Sequence, residues 1–299
     1  PTVGCLPSAL PHPQRGLRQS PYLLRRAHGP NCSAPSKSRP STAFLSLVHS
    51  LPRAFVLPTI LYLAAASWGT AFGDEDRLAE ESFDLRAGSL MEKSSGMGWN
   101  GAWKLSAIRP ATTESDQNGV LIRGTTDRNN PLRRELAAPF RSSELFVRFH
   151  LRYEPPADDN EFFVLWLDRL DGGDRSTHSE NVPNIGVHVA ESGPKKGKTV
   201  FMVRIGAAKT AFSTVELERG RDYVVVGRLS KSDPTERADF DRFDLWVNPK
   251  GDDFEKPTAT IKHSQSVNFV RWIGFATGRK TEKGDRLWID DLVLSRSWD

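Results

Sequence analysis

Glu144-Leu-Phe-Val-Arg-Phe-His-Leu-Arg-Tyr-Glu154 alternates without a break. Leu145, Val147, Phe149, Leu151 and Tyr153 share one phase, and Phe146, Arg148, His150 and Arg152 share the other. Successive side chains of a strand point to opposite faces, so this period of two predicts a half-buried strand with Arg148 and Arg152 outward. Phe162-Phe-Val-Leu-Trp-Leu167 is apolar in both phases and predicts a central strand covered on both sides. Comparable runs lie at 185–189, 200–205, 223–229, 243–247, 259–262, 269–276 and 287–294. Shorter ones lie at 83–85, 105–108, 120–122, 133–136 and 214–217. Asp171-Gly-Gly, Ser192-Gly-Pro, Asn248-Pro-Lys-Gly and Lys283-Gly-Asp separate the runs with turn chemistry. No sustained helical period follows Gly98, so the body is expected to be an all-β sandwich or barrel. Its expected core holds Leu145, Val147, Phe149, Leu151, Phe163, Leu165, Val225, Leu245, Val247, Ile273, Phe275 and Ile289.

The 299 residues divide by charge. Residues 1–73 contain seven basic residues and no acidic one. Removing those seven from the 41 basic residues leaves 34 against 37 acidic in 74–299, so the net charge of +4 belongs to the N-terminal part. The body therefore lacks the basic balance of a nucleic-acid binder. Cys5 and Cys32 also precede residue 74, which excludes a disulfide framework, a cysteine nucleophile and a thiolate zinc site from the body. Residues 1–50, rich in Pro, Ser and Arg, read as a disordered or mis-called extension. Residues 51–73 place Arg53 before an apolar run from Ala54 to Ala66 and end on Ala71-Phe-Gly73. This is the layout of a secretory signal peptide, with an uncleaved membrane anchor as the alternative. Both predict that 74–299 is secreted, periplasmic or held at the cell envelope, touching a membrane only through 54–73.

Trp246 alternates with Asp244 and Asn248, and Trp288 with Arg286 and Asp290. Both indoles thus occupy the polar phase of their strands. An indole on a sheet face can stack on the C–H face of a sugar, with nearby polar groups taking its hydroxyls. Together with Arg148, His150 and Arg152, these residues form the expected carbohydrate-binding face, and the cations favour an acidic or sulfated polysaccharide. Covering of the two rings by a neighbouring strand or loop is the competing expectation.

Three stretches carry a family resemblance: Phe83-Asp-Leu85 with Ala87-Gly-Ser-Leu90 and Gly98-Trp-Asn-Gly-Ala-Trp103; Asp244-Leu-Trp-Val-Asn-Pro249; and Leu287-Trp-Ile-Asp-Asp-Leu-Val-Leu294. In order and spacing they resemble secreted bacterial domains of the concanavalin A-like lectin/glucanase superfamily, close to laminin-G-like jelly rolls. The resemblance covers about residues 82–299. It implies a two-sheet antiparallel jelly-roll sandwich over 74–299 and no particular activity. Leu85 and Ser94-Ser-Gly-Met97 depart from the pattern.

Enzymatic members of such a superfamily set the next expectations. Retaining glycosidases need two carboxylates about 5–5.5 Å apart. Neither Glu-x-Asp-x-Glu nor its bulged form Glu-x-Asp-x-x-Glu occurs. The nearest approach is Asp239, Asp241 and Asp244, which a bulge could bring to one face. Arg133-Arg-Glu-Leu136 resembles the Arg-x-Glu-Leu strand of jelly-roll alginate lyases, but their Gln-Ile-His and Tyr-x-Lys-x-Gly-x-Tyr strands are missing. Asn184-Ile-Gly-Val-His188 is a poor substitute for the former, and an Arg–Glu pair on a solvated face is expected at 133–136. His188 and His263 have no ligand-type partner at i+2 or i+4, and His150 reads as a solvated residue on a polar strand face, so no metal site is expected. Asp290-Asp291 could lend oxygens to a structural calcium ion but do not fill its shell. The sequence therefore reads as a non-catalytic module binding polysaccharide or cell-surface polymer. A divergent glycoside hydrolase or polysaccharide lyase using Asp239, Asp241 and Asp244 is the second reading, and a structural envelope or adhesion protein the third.

Overall fold

The computed structural model describes residues 76–84, 90, 93–106, 111–113, 119–154, 162–171, 181–205 and 210–298. The expectations for 1–50 and 51–73, and the Leu85–Ser89 part of the first motif, fall outside them. The described residues form strands β1 (Arg77–Glu81), β2 (Lys104–Leu105), β3 (Ala111–Thr113), β4 (Val120–Arg123), β5 (Asn129–Phe140), β6 (Glu144–Glu154), β7 (Phe162–Asp168) and β8 (Asn184–Val189). They continue with β9 (Thr199–Arg204), β10 (Thr210–Glu216), β11 (Asp222–Ser230), β12 (Arg242–Val247), β13 (Ala259–Lys262), β14 (Val270–Thr277) and β15 (Arg286–Ser295). No helix among these residues is long and apolar enough to cross a membrane.

Two antiparallel sheets pack face to face as the jelly-roll sandwich that the resemblance implies. One runs β13-β12-β11-β6-β15-β4-β3, with β1 paired to β15. The other runs β10-β9-β8-β7-β14-β5-β2. The inward phases of β6, β7, β11, β12, β14 and β15 fill one core, and every expected core residue is buried there except Val247, which packs at its margin. The register of β6 follows its sequence: Leu145 to Tyr153 face in, and Arg148, His150 and Arg152 face out. β7 lies between β8 and β14 and is buried throughout, because its outward residues enter a second apolar cluster.

The expected strand at Phe83 is absent. Phe83 has a φ of 53°, and the strand lies earlier, at Arg77–Glu81. This shift serves the ends of the sandwich. Met97 bridges to Glu80 of β1 in one sheet, and Trp99 bridges to Leu136 of β5 in the other. Gly98 between them has a φ of 80°, and a Cβ there would stand 1.9 Å from the Leu78 carbonyl oxygen. The Gly98–Trp103 motif is thus a stitch between sheets.

Beneath the stitch, Arg134 of β5 and Glu81 of β1 form a fully buried ion pair at 2.7 Å. Glu81 also accepts from Ser95 Oγ (2.6 Å), the Phe83 N–H (3.0 Å) and Trp103 Nε1 (3.1 Å). Arg134 donates to the carbonyls of Gly101 (2.8 Å) and Ser95 (3.0 Å) and to Ser94 Oγ (3.0 Å). Its guanidinium lies 5.0 Å from the Trp99 ring and 5.5 Å from that of Trp103. Burial pulls the Arg134 pKa down, and Glu81 opposes that pull. The expected solvated Arg–Glu pair at 133–136 is therefore corrected: Arg134 turns inward to Glu81, while Glu135 pairs with Arg271 and Asn100.

Removing one partner strands a buried charge, which costs about 3–5 kcal/mol. Arg134→Met should lower unfolding free energy in urea by that amount. Arg134→Met combined with Glu81→Gln removes both charges, keeps an acceptor for Ser95 and Trp103, and should recover most of the loss.

Candidate functional site

The outer face of the β6 sheet brings together most of the sequence-predicted residues without making the expected platform. Arg152 lies opposite Trp288, and His150 opposite Asp290, on adjacent strands β6 and β15. Trp246 lies opposite Val226, which lies opposite Arg148, so β11 separates it from the cations. Trp246 is 1% exposed. Phe254 stacks on its ring at 6.0 Å, Trp298 meets it edge-on at 4.9 Å, and its Nε1 donates to the Asp253 carbonyl. Phe254 comes from the 3-10 turn Gly251–Glu255 and Trp298 from the segment after β15. Trp288 is 5% exposed, with the guanidinium groups of Arg152 and Arg286 against its ring. Both rings are covered, and neither offers a face for a sugar.

Most charges of this face are paired, while the Nε of Arg148 is buried without a hydrogen-bond partner among the described residues. Arg152 approaches Glu154 and Asp222, each at 3.4 Å. His150 Nδ1 lies 3.4 Å from Asp291, and ligand atoms of His150, Asp290 and Asp291 fall within 4.8 Å of one another. Burial pushes the Asp290 carboxyl up, and the charges of Asp291 and Asp84 add to this. These three donors fall short of calcium's shell of about six to eight oxygens. His150 joins the Asp290-Asp291 pair across the ladder between β6 and β15.

The acidic triplet does not converge. β12 keeps unbroken register with β11 and β13, so the bulge that would rotate Asp244 is absent. Asp244 is fully buried and holds Arg228 (2.8 Å), Arg242 (2.9 Å) and Thr260 Oγ (2.7 Å). Asp241 accepts the Ser232 N–H at 3.0 Å, and Asp239 is exposed. Asp244 is an ion-pair hub, with no lone pair turned to solvent.

The other sheet has a different outer face. Phe162, Val164 and Trp166 of β7 pack with Val182, Met202, Trp272 and Ala276 into an apolar layer. A Cβ at Gly274 would lie 2.4 Å from Trp166 Cζ2, so only glycine admits this ring. Lys104 and Arg133 clasp Asp171 at one end of the layer, at 3.1 and 2.7 Å. At the other end a cavity of about 280 Å³ opens between Arg128, Phe162, His188, Arg204, Gly278, Arg279 and Lys280. The Arg204 guanidinium lies 5.7 Å from the Phe162 centroid, and His188 meets the same ring edge-on at 5.2 Å.

His188 Nδ1 accepts the Val189 N–H at 2.7 Å, which fixes the neutral tautomer with the proton on Nε2. Burial holds the His188 pKa below its usual value; the Arg204 charge adds to this and Glu191 opposes it. Burial likewise lowers the pKa of Arg204. The described lining residues include four cations and one N–H donor imidazole; Asp127 lies 3.9 Å from Arg279 just outside the lining, and the Glu191 charge acts on Arg204. The sequence shows His188 singly but not the group, because its members lie on five separate segments. The outward phase of Val200, Met202 and Arg204 was the available signal.

No protein-family model and no curated protein matches the chain. Among solved structures, an alginate lyase, Aly36B, in complex with alginate tetrasaccharide is similar at 13% identity and a TM-score of 0.45, over 74% of this chain and 97% of that one. A beta-1,3-glucanase from Mycobacterium marinum is similar at 10% identity and 0.43, over 74% and 100%. The lectin I from Ulex europaeus is similar at 10% identity and 0.43, over 72% and 97%. The fold assignment rests on the two sheets of the chain itself.

The His188 shift has a definite sign. The unfolded chain takes up a proton near 6.5, and the folded state resists it until lower pH. Stability should therefore be full above pH 6.5 and fall as pH drops through that value. Urea unfolding of His188→Gln across this window should show a flatter profile; an unchanged slope would mean that His188 is not the group responsible.

Proposed function

We propose that the protein is a non-catalytic module that binds an acidic polysaccharide or cell-surface polymer, outside the cytoplasm, where residues 54–73 would deliver it. The observation that carries this reading is the cavity whose walls include Arg128, Arg204, Arg279 and Lys280 together with the Phe162 ring, against which the Arg204 guanidinium lies. Guanidinium groups bind carboxylate and sulfate bidentately, and an aromatic ring suits the apolar face of a sugar. Its 280 Å³ lies just under the usual range of roughly 300–1,000 Å³ for ligand pockets, so the cavity suits one sugar unit of a longer chain. The binding face accordingly moves from Trp246, Trp288, Arg148, His150 and Arg152 to the outer face of the opposite sheet, beside the Gly278–Lys280 turn.

The hydrolase reading is opposed by Asp244, whose carboxylate is spent on Arg228, Arg242 and Thr260. A lyase centred on this cavity would need a base beside the cations. His188 is a poor one, because its only lone pair already takes the Val189 N–H.

Calorimetry of the full chain with alginate, heparin and neutral laminarin tests the reading. Anionic polymers should bind, weakening as salt rises, and laminarin should not. Arg279→Ala with Lys280→Ala should weaken anionic binding about five- to tenfold, as loss of two partly exposed charges would. Salt-independent binding untouched by the double variant would refute the assignment, and chain shortening abolished by Asp241→Asn would favour the hydrolase.

A further inference from the structure

The cationic cavity has a neighbour on the same face. A second hollow of about 180 Å³ is walled by the turn Ser192–Lys195 and by Thr210, Phe212, Ser213 and Thr214 of β10. Thr210 lies opposite Arg204, and Phe212 opposite Met202, so β10 extends the outer face that holds the first cavity. The dividing wall is aromatic: the Phe212 ring stands edge-on to His188, with centroids 6.4 Å apart. His188 belongs to the first cavity and Phe212 to the second.

The chemistry of the two hollows differs. Lys195 is the one charged residue among the described walls of the second, and its ammonium is bound to Glu216 at 2.9 Å. Ser213 is buried and its hydroxyl is engaged with Val215. What remains is a half-buried phenyl ring flanked by the hydroxyls of Ser192, Thr210 and Thr214. An aromatic face beside uncharged hydroxyls is suited to a neutral sugar, whose C–H face packs on the ring while its hydroxyls exchange hydrogen bonds. A carboxylate there would lose water and meet no free cation.

Resting on the function proposed above, we infer that the two hollows are consecutive subsites, and that the ligand is a heteropolymer in which an acidic sugar is followed by an uncharged one. Arg128, Arg204, Arg279 and Lys280 hold the acidic unit, and Phe212 with its neighbouring hydroxyls holds the neutral unit.

Two probes separate this from simple charge attraction: a hyaluronan oligosaccharide, which alternates glucuronate with uncharged N-acetylglucosamine, and an oligogalacturonate of equal length, in which every unit is charged. Charge attraction alone favours the galacturonate. The two-subsite arrangement favours hyaluronan. Phe212→Ala should weaken hyaluronan binding about fivefold, the loss of one aromatic contact, and leave galacturonate within about twofold. Should Phe212→Ala unfold, Thr214→Lys at an exposed position puts a cation into the second hollow and should turn the preference toward galacturonate. Arg279→Ala should weaken both ligands alike. Tighter galacturonate binding, with neither Phe212→Ala nor Thr214→Lys changing the order, would overturn the two-subsite inference and leave the anionic site standing. Binding of neither oligosaccharide would remove both.

Discussion

The bond between Arg134 and Glu81 fixes how the two sheets close. Each charge comes from a different sheet, and neither reaches water. A bare pair at this depth would be a poor source of stability, because desolvation offsets the attraction. Here the remaining valences are filled: Glu81 takes bonds from Ser95, Phe83 and Trp103, and Arg134 gives bonds to Gly101, Ser95 and Ser94. All of these except Phe83 lie in the 94–103 segment that crosses between the sheets. The pair therefore selects one path for that segment, and Trp99 and Trp103 close over the guanidinium. The Trp-rich motif that carries the family resemblance is explained by this structural task.

That closure leaves two outer faces, each with its own history of covering. On the β6 sheet, Phe254 and Trp298 cover Trp246, and Arg152 is paired with Glu154 and Asp222. On the β7 sheet, the apolar layer around Trp166 occupies the middle. Concave chemistry opens where β7, β8 and β9 meet the Gly278–Lys280 turn, and a further hollow of about 310 Å³ lies between Gly98, Pro139, Arg141, Glu236 and Arg296. Loops and strand ends can place cations around a cavity without burying them inside a sheet face, which keeps the desolvation of several like charges tolerable.

Alternation made the strands legible, because a buried face constrains every second residue. β6, β7, β11, β12, β14 and β15 all follow it, and their inward residues form the core. The same rule names a face and is silent on what lies over it. Trp246 and Asp244 were correctly placed on the outward phase, yet a turn within ten residues and a C-terminal tryptophan bury the first, and two arginines neutralise the second. The strands at Arg77–Glu81 and Ala111–Thr113 show no apolar alternation, because the buried positions of the first are Ala79 and the carboxylate Glu81 and the second is Ala-Thr-Thr. Arg204 and Arg279 escaped notice, and His188 read only as an isolated histidine, because their grouping is tertiary: sheet register and a turn bring them together.

The most direct test of the account is the imidazole spectrum of the full chain during titration with a hyaluronan oligosaccharide. His188 lines the cationic cavity, and His150 lies on the opposite sheet beside Asp291. Ligand should shift the His188 ring resonances in proportion to occupancy, leave His150 in place, and lose its effect in high salt. Movement of His150 with His188 unchanged would return the binding face to the β6 sheet and contradict the account.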